Sequence, residues 1–347
     1  MKVVFIAGTV QQAEAAALIA PLLKEQGAEV LCVSLELFHQ LPVQMSKHSD
    51  CEFVVAHLPK VLQKANKSLR YAYGICQLPK FLEKLFRENE VRVVVFGNDR
   101  IMLHRWLIKY IQRLDISVIL LQDGIIFDAK AKQEYSTSLS TYLIRQIEQV
   151  TGLPILPIEY GQGGCDYLFV IGEQSKELFI HRSVSPERII ITGLPRLDVL
   201  NEFYKSRNSK RSALRERLRV PENRPVALWL TQPFLRWNLI SKEEHEQFVI
   251  NFCESILEFL QSDGELWIKF HPSDQMDLYI PMLQSMLSGF MKNKQVWICS
   301  SESTHELILA SDLVLGVHST ALLEASILSV QTVFLDLLSS ARVPGIF

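Results

Sequence analysis

What this 347-residue chain lacks already narrows its class. Its six cysteines are scattered, with no Cys-x-x-Cys pair, so neither a disulfide framework nor a zinc finger is encoded. That pattern predicts reduced thiols in a cytoplasmic protein. Neither charge sign is in excess: 36 Lys and Arg face 38 Asp and Glu, a formal net charge of −2. A near-neutral chain has no whole-molecule field for capturing nucleic acid, which is therefore not expected as a partner. Clean membrane-spanning runs are missing too. The most apolar region, Leu313 to Leu335, is interrupted by Glu324, and the apolar start Val3–Ala7 is too short for a signal peptide. Low-complexity tracts and solenoid-length repeats are also absent.

What the chain has is alternation. Short Val/Ile/Leu/Phe runs at Val3–Ala7, Glu29–Val33, Val91–Phe96, Ser117–Leu121, Tyr167–Ile171 and Ile189–Thr192 are separated by segments of helical period. A second series follows at Ala227–Thr231, Leu266–Phe270, Val296–Cys299, Leu313–Val317 and Thr332–Leu335. Continuous apolar runs predict strands covered on both faces, as in parallel sheets. Helical patterns such as Ile101–Leu114 and Phe248–Leu260 supply the crossovers. The fold class is α/β: two facing, doubly wound, Rossmann-like domains with a cleft between them. The charged segment Lys205 to Arg224 ends in two helix-breaking prolines, Pro221 and Pro225, and places the domains at residues 1–221 and 222–347. Segment 131–164 stays open, with a helix over Ser138–Val150 and turn glycines at Gly161-Gln-Gly-Gly.

The chemistry-bearing residues cluster where strands end, the place at which open α/β sheets bind ligands. Asp123-Gly124 follows one strand, Gly193-Leu-Pro-Arg196-Leu-Asp198 another, Thr231-Gln232-Pro233 a third and His271-Pro272 a fourth. His318-Ser319-Thr320 follows a fifth and opens a helix containing Glu324. Each has a plain structural alternative. Asp123-Gly124 reads equally as a turn, His271 as a strand-end histidine, and Arg196 as an ion-pair partner of Asp198. Ser319 reads as a helix cap, a role compatible with holding an anion at the same helix start.

Several stretches carry a resemblance: Asp166-Tyr-Leu-Phe-Val-Ile-Gly-Glu, Glu187 to Asp198, Ile268-Lys-Phe-His-Pro272 and His305 to Ala325, together with Gln122-Asp-Gly124. From about residue 90 to 336 the chain resembles GT-B-fold transferases of bacterial surface carbohydrate. The group comprises CDP-glycerol glycerophosphotransferases, capsule-polysaccharide transferases and bacterial sialyl- and polysialyltransferases. The resemblance implies that Asp123 is the general base toward an acceptor hydroxyl, although the sialyltransferase pattern has a second acid where Gln122 stands. It implies that His271 contacts the donor phosphate, with Pro272 beside it, and that His318, Ser319 and Thr320 hold the same phosphate. Glu324 would accept from ribose hydroxyls, Thr231 and Gln232 would reach phosphate or base, and Arg196 and Gly124 would line the cleft.

The implied donor is a nucleotide-activated sugar or polyol phosphate, CMP-, CDP- or UDP-linked, and the acceptor a glycan or lipid-linked glycan. No resident cofactor or metal is implied, which agrees with the absence of an Asp-x-Asp triplet. The basic run Lys205-Ser-Arg-Asn-Ser-Lys-Arg211 is open to two readings, a solvated helix face or peripheral contact with an anionic membrane. The chain stops soon after Asp336, short of the closing helix of GT-B chains, so its second domain is expected to be minimal or truncated. Two alternatives stand beside the transferase. One is an isomerase like the UDP-N-acetylglucosamine 2-epimerases, which carry His-x-Glu-Ala-Gly-x-Arg where this chain has Gln122-Asp-Gly-Ile-Ile. The other is a GT-B protein that binds nucleotide or glycan without turnover.

Overall fold

The computed structural model describes residues 1–40, 51–124, 126, 139–236, 239–271, 274–300, 302–317 and 319–335. The chain divides into two compact units, Met1–Arg196 and Leu197–Phe347. The first is built on a seven-stranded sheet of β1 (Lys2–Ala7), β2 (Glu29–Ser34), β3 (Cys51–Val55), β4 (Val91–Phe96), β5 (Ser117–Leu121), β6 (Tyr167–Val170) and β7 (Ile189–Ile191). Its spatial order is β3-β2-β1-β4-β5-β6-β7, and every neighbouring pair is parallel. Strand residues alternate between two covered faces. Val4, Ile6, Leu31, Val33, Val94 and Phe96 pack with Leu78, Leu82, Leu103 and Leu107 of helices Lys67–Glu88 and Met102–Gln112. Val3, Phe5, Ala7, Val30 and Val95 pack against Ala13, Ala16 and Ala20 of helix Val10–Glu25. With both faces buried, neither parity of residue can be polar, which is why these strands read as unbroken apolar runs.

The second unit repeats the plan with β8 (Val226–Leu230), β9 (Glu265–Lys269), β10 (Val296–Cys299), β11 (Leu313–Gly316) and β12 (Gln331–Phe334), in the order β10-β9-β8-β11-β12, again all parallel. One face buries Val226, Leu228, Leu230 and Trp267 against Leu307, Ile308, Leu322 and Ala325. The other buries Ala227, Trp229 and Ile268 against helices Lys242–Gln261 and Met276–Lys292. Trp229 stacks on Phe252 at 3.9 Å between ring centroids. The indoles of Trp267 and Trp297 both donate to Glu265 Oε1, at 2.8 and 2.9 Å, so neither ring leaves an unmet N–H in the core.

The two units use the same device at the amino ends of their sheets. Asp166, just before β6, accepts the Val118 N–H of β5 at 2.7 Å through its carboxylate and donates its own N–H to the Val118 carbonyl at 2.8 Å. Asp312, just before β11, does the same with Val226 of β8, at 2.8 and 2.9 Å. Each carboxylate starts a parallel ladder whose terminal N–H groups would otherwise lack acceptors.

β3 was not expected from the sequence. Its residues, Cys51-Glu-Phe-Val-Val55, are short and begin beside a polar stretch, and an edge strand has only one neighbour, here β2. Five of the six cysteines are buried, while Cys76 is exposed. The break expected near residue 222 lies inside the second unit. Helix Arg207–Leu218 precedes it and packs on helix Thr304–Ala310, held by two arginines. Arg211 reaches the carbonyl of Ser311 and the carboxylate of Asp312, both at 2.5 Å. Arg215 is fully buried and donates to the carbonyls of Ala310 at 2.9 Å, Pro221 at 2.8 Å and Arg224, and to Asp312 at 3.3 Å. Other cations of the basic run have local partners: Arg207 lies over the Tyr204 ring and Lys210 over Phe203. Among the described residues no helix is long and apolar enough to cross a membrane.

Arg215→Ala leaves the carbonyls of Ala310, Pro221 and Arg224 without this donor while Asp312 keeps Arg211, and buried acceptors left unmet cost about 1–3 kcal/mol. Four of the five tryptophans, Trp229, Trp237, Trp267 and Trp297, belong to the second unit, so tryptophan fluorescence during urea unfolding reports mainly on it. The midpoint is expected to fall clearly; an unmoved midpoint would remove Arg215 from the unit's stability.

Candidate functional site

In the first unit the carboxyl ends of β1, β4 and β5 meet around one amide. Gln12, in the first turn of helix Val10–Glu25, is buried, and its side-chain carbonyl accepts the Gly8 N–H at 2.8 Å. Its Nε2 donates to Asp123 Oδ2 at 2.8 Å. The side chain thus ties the end of β1 to the end of β5, across the end of β4 that lies between them. Gly97 makes that crossing possible: a Cβ there would stand 2.3 Å from Gln12 Cγ. Burial raises the pKa of Asp123, while the Gln12 amide and the nearby charge of Arg196 oppose the rise without cancelling it. A carboxyl held above its ordinary range suits a general base working near neutral pH. Arg196, on the first turn of helix Pro195–Lys205, therefore faces Asp123 electrostatically.

Gln122 stands where the sialyltransferase pattern has an acid, and it is a brace. Its Nε2 donates to the Gly124 carbonyl at 2.9 Å, and its Oε1 accepts the Ile171 N–H at 3.1 Å, fixing the Asp123-Gly124 turn to the end of β6. A second brace lies below. Asp99 is fully buried and accepts the N–H groups of Gly161 at 3.1 Å and Gly163 at 2.7 Å. Gly161 has φ +93°, and a Cβ on Gly163 would stand 2.5 Å from that of Asp99. The glycines of this loop therefore wrap a protein carboxylate. The Tyr160 hydroxyl lies 3.1 Å from the Gly97 carbonyl and 3.2 Å from that of Leu121, joining the loop to the ends of β4 and β5.

Behind Gly8 runs a buried polar chain whose proton positions follow from its ends. His104 Nδ1 lies 2.7 Å from the Asn98 carbonyl, which only accepts, so Nδ1 carries the hydrogen and Nε2 is an acceptor. His39 Nε2, 3.0 Å away, must then donate, leaving His39 Nδ1 to accept from the Tyr71 hydroxyl at 2.8 Å. Burial holds both imidazoles neutral, with the His39 pKa down at about 3 and that of His104 at about 4.

In the second unit the switch point lies between β8 and β11. From β8, Thr231 and Gln232 are buried. Thr231 Oγ1 donates to Asp274 Oδ2 at 2.6 Å and accepts the His271 N–H at 3.2 Å, while the Gln232 carbonyl accepts from the Tyr279 hydroxyl at 3.3 Å. His271, after β9, is partly buried. Burial lowers its pKa, the Asp274 charge raises it and Arg236 lowers it. After β11, Ser319 caps helix Thr320–Ile327 by accepting the Ala321 N–H at 3.2 Å, and Thr320 is the first helical residue. Gly316 lets this helix sit close: a Cβ there would be 3.3 Å from both the Leu230 carbonyl and Leu322 Cδ1. Glu324 is buried, and its Oε2 meets His305 Nε2 at 3.0 Å. Pro272 and His318 lie outside the described residues.

The structure thus brings Asp123, Gly124 and Arg196 together in one unit, and Thr231, Gln232 and His271 onto adjacent strand ends in the other. Ser319 and Thr320 follow the strand on the far side of β8. Sequence reasoning missed Gln12, Gly97, Asp99, Tyr160 and Asp274. The Gly97-Asn-Asp99 turn directly after a strand was the one local signal for part of this set.

These two parallel sheets with flanking helices make a GT-B-like α/β fold of two Rossmann-like domains. No protein-family model and no curated protein matches the chain. Among solved structures it is similar to the UDP-GlcNAc 2-epimerase of Methanocaldococcus jannaschii, with TM-score 0.58, 15% identity, and coverage of 96% of this chain and 84% of that one. The UDP-GlcNAc 2-epimerase of Neisseria meningitidis, bound to UDP-GlcNAc, gives 0.57 at 16% identity, covering 96% and 82%. The wall teichoic acid polymerase TagF gives 0.52 at 18% identity, covering 96% and 70%. At such identities the likeness is one of fold.

The Asp123 carboxyl has a thermodynamic signature. Its folded-state pKa lies above the unfolded one, so folding binds a proton between the two values, and the ionised group costs stability above them. Asp123→Asn is expected to be more stable than the parent at pH 7.5, by a margin that shrinks as pH falls toward the ordinary carboxylate range. Denaturant midpoints at several pH values measure this. A variant less stable at pH 7.5 contradicts the electrostatic account of Asp123.

Proposed function

We propose that the chain is a metal-independent glycosyltransferase, or glycerophosphotransferase, using a nucleotide-activated donor in bacterial surface-polysaccharide biosynthesis. The observation that carries this reading is the second unit's strand-end set, Thr231, His271, Ser319 and Thr320, at a topological switch point. A helix start offers free N–H groups to a phosphate, and an imidazole offers a donor where charge develops as the bond to phosphate breaks. Asp123, with its raised pKa, takes the role of base toward the acceptor hydroxyl. The acceptor class, a glycan or lipid-linked glycan, rests on the family resemblance; a cytoplasmic location rests on the scattered cysteines, and peripheral membrane contact on the basic run 205–211 together with that acceptor class.

A second reading, isomerisation of a nucleotide sugar, is favoured by the epimerases among the similar structures, one of them holding UDP-GlcNAc. The stretch Gln122-Asp-Gly-Ile-Ile-Phe-Asp128 departs from the motif expected of that class.

Thermal stability with CMP, CDP, UDP and GDP discriminates first, because a ligand at about 100 times its Kd adds about 2.7 kcal/mol to the folded state. At least one nucleotide is expected to stabilise the parent, and His271→Ala to lose both the effect and turnover. Asp123→Ala should keep the stabilisation and lose turnover. Full activity in Asp123→Ala contradicts the base assignment, and no stabilisation by any nucleotide contradicts both readings. Incubation of UDP-GlcNAc in D2O separates them: deuterium entering the sugar carbon marks proton abstraction and the isomerase reading.

A further inference from the structure

Three hydrogen bonds close a ring at the end of β8 and β9. The His271 N–H donates to Thr231 Oγ1 at 3.2 Å, the Thr231 hydroxyl donates to Asp274 Oδ2 at 2.6 Å, and the Asp274 N–H donates to the His271 carbonyl at 2.8 Å. The Thr231 N–H meanwhile donates to the Lys269 carbonyl at 3.1 Å, so the ring is anchored to the end of the β8/β9 ladder. No freedom is left to the His271 backbone without breaking one of these bonds. We propose that Asp274 is the positioning residue for His271, fixing its backbone through Thr231 and presenting a carboxylate charge to its imidazole. This rests on the phosphate-contact role proposed for His271 and adds the group that keeps that histidine in place and opposes the loss of its proton.

The surroundings single out Asp274. The imidazole of His271 is faced by Asp274 and by Arg236, whose charges act in opposite directions, while burial favours the neutral ring. Asp274 therefore opposes the other two influences, although the His271 pKa still lies below its ordinary value. The same carboxylate faces Tyr279, from helix Met276–Lys292, whose phenol burial pushes up first and the Asp274 charge further. It also faces His245, from helix Lys242–Gln261, which stands edge-on to Tyr279 at 4.5 Å. Neither His245 nitrogen has a hydrogen-bond partner among the described residues. One acid thus serves two imidazoles, a phenol and a threonine hydroxyl. A purely structural role competes with this account, because Asp274 Oδ1 also accepts the Gln275 N–H at 2.9 Å at the entrance to helix Met276–Lys292.

Two variants separate the roles. Asp274→Asn keeps one side-chain acceptor for the Thr231 hydroxyl or the helix-entrance Gln275 N–H, replaces the other oxygen with a donor and removes the charge. Thr231→Val keeps the shape and removes the hydroxyl, with Thr231→Ser as the conservative control. The titration of His271 is followed by NMR of its ring proton in the full chain, assigned with His271→Gln. In Asp274→Asn the midpoint is expected to fall by about one pH unit, the size of effect a neighbouring opposite charge produces. In Thr231→Val the His271 amide should exchange with solvent about tenfold faster, and in Thr231→Ser it should not, because loss of one hydrogen bond is worth about one factor of ten. With donor and acceptor in hand, the alkaline limb of the kcat/KM profile should move down with the midpoint, since a group needed in its protonated form loses function as pH rises through its pKa. An unchanged midpoint in a folded Asp274→Asn overturns the proposal. Should that variant not fold, an unchanged His271 exchange rate in Thr231→Val overturns it. A lowered midpoint in a chain without any transferase activity upholds the pairing and sinks the transferase reading alone.

Discussion

A parallel sheet covered by helices on both faces has only its strand ends to offer to a ligand. In both units every neighbouring strand pair is parallel, and the strands bury both parities of side chain. Polar side chains are thereby driven to the two rims. The amino rim is used for closure, with Asp166 and Asp312 each tying off the first rung of a neighbouring strand. The carboxyl rim is where Asp123, Thr231, His271 and Ser319 stand, and the proposed chemistry follows from that confinement.

At the carboxyl rim, small residues decide what can meet. Gln12 reaches Asp123 because Gly97 leaves its path open, and the helix behind Ser319 seats close because Gly316 has no side chain to hold it off. In the first unit the buried carboxylate of Asp99 holds the Gly161–Gly163 loop, and the chain from Tyr71 through His39 to His104 ends on the Asn98 carbonyl in the turn after β4. Rigid support of this kind places a reacting group within a fraction of an ångström, the tolerance that positioning demands.

Among the described residues, eleven of the twelve strands were legible in the sequence, as was the strand-end position of Asp123, Thr231, His271 and Ser319. Each of these strands is a local apolar run, and each run stops at a polar residue or a glycine. Cys51–Val55 was not legible, being short and at a sheet edge. Nor were the partners within the site. Gln12 and Asp123 are 111 positions apart, and nothing local to either announces the other. Asp274 looks like an ordinary residue of a turn until the fold sets it under the Thr231 hydroxyl, 43 positions away. The end of the first unit was hidden for a related reason: the charged segment 205–224 reads as a linker, whereas Arg211 and Arg215 spend their hydrogen bonds on the second unit.

The proposed chemistry requires that the second unit's strand ends hold a nucleotide phosphate. Amide chemical-shift mapping of the 15N-labelled chain, titrated with CDP and with UDP, tests it most directly. Saturable shifts at Thr231, His271, Ser319 and Thr320, lost in His271→Ala, are the predicted result. Shifts confined to the first unit around Gly8–Gln12, or none with either nucleotide, would contradict it.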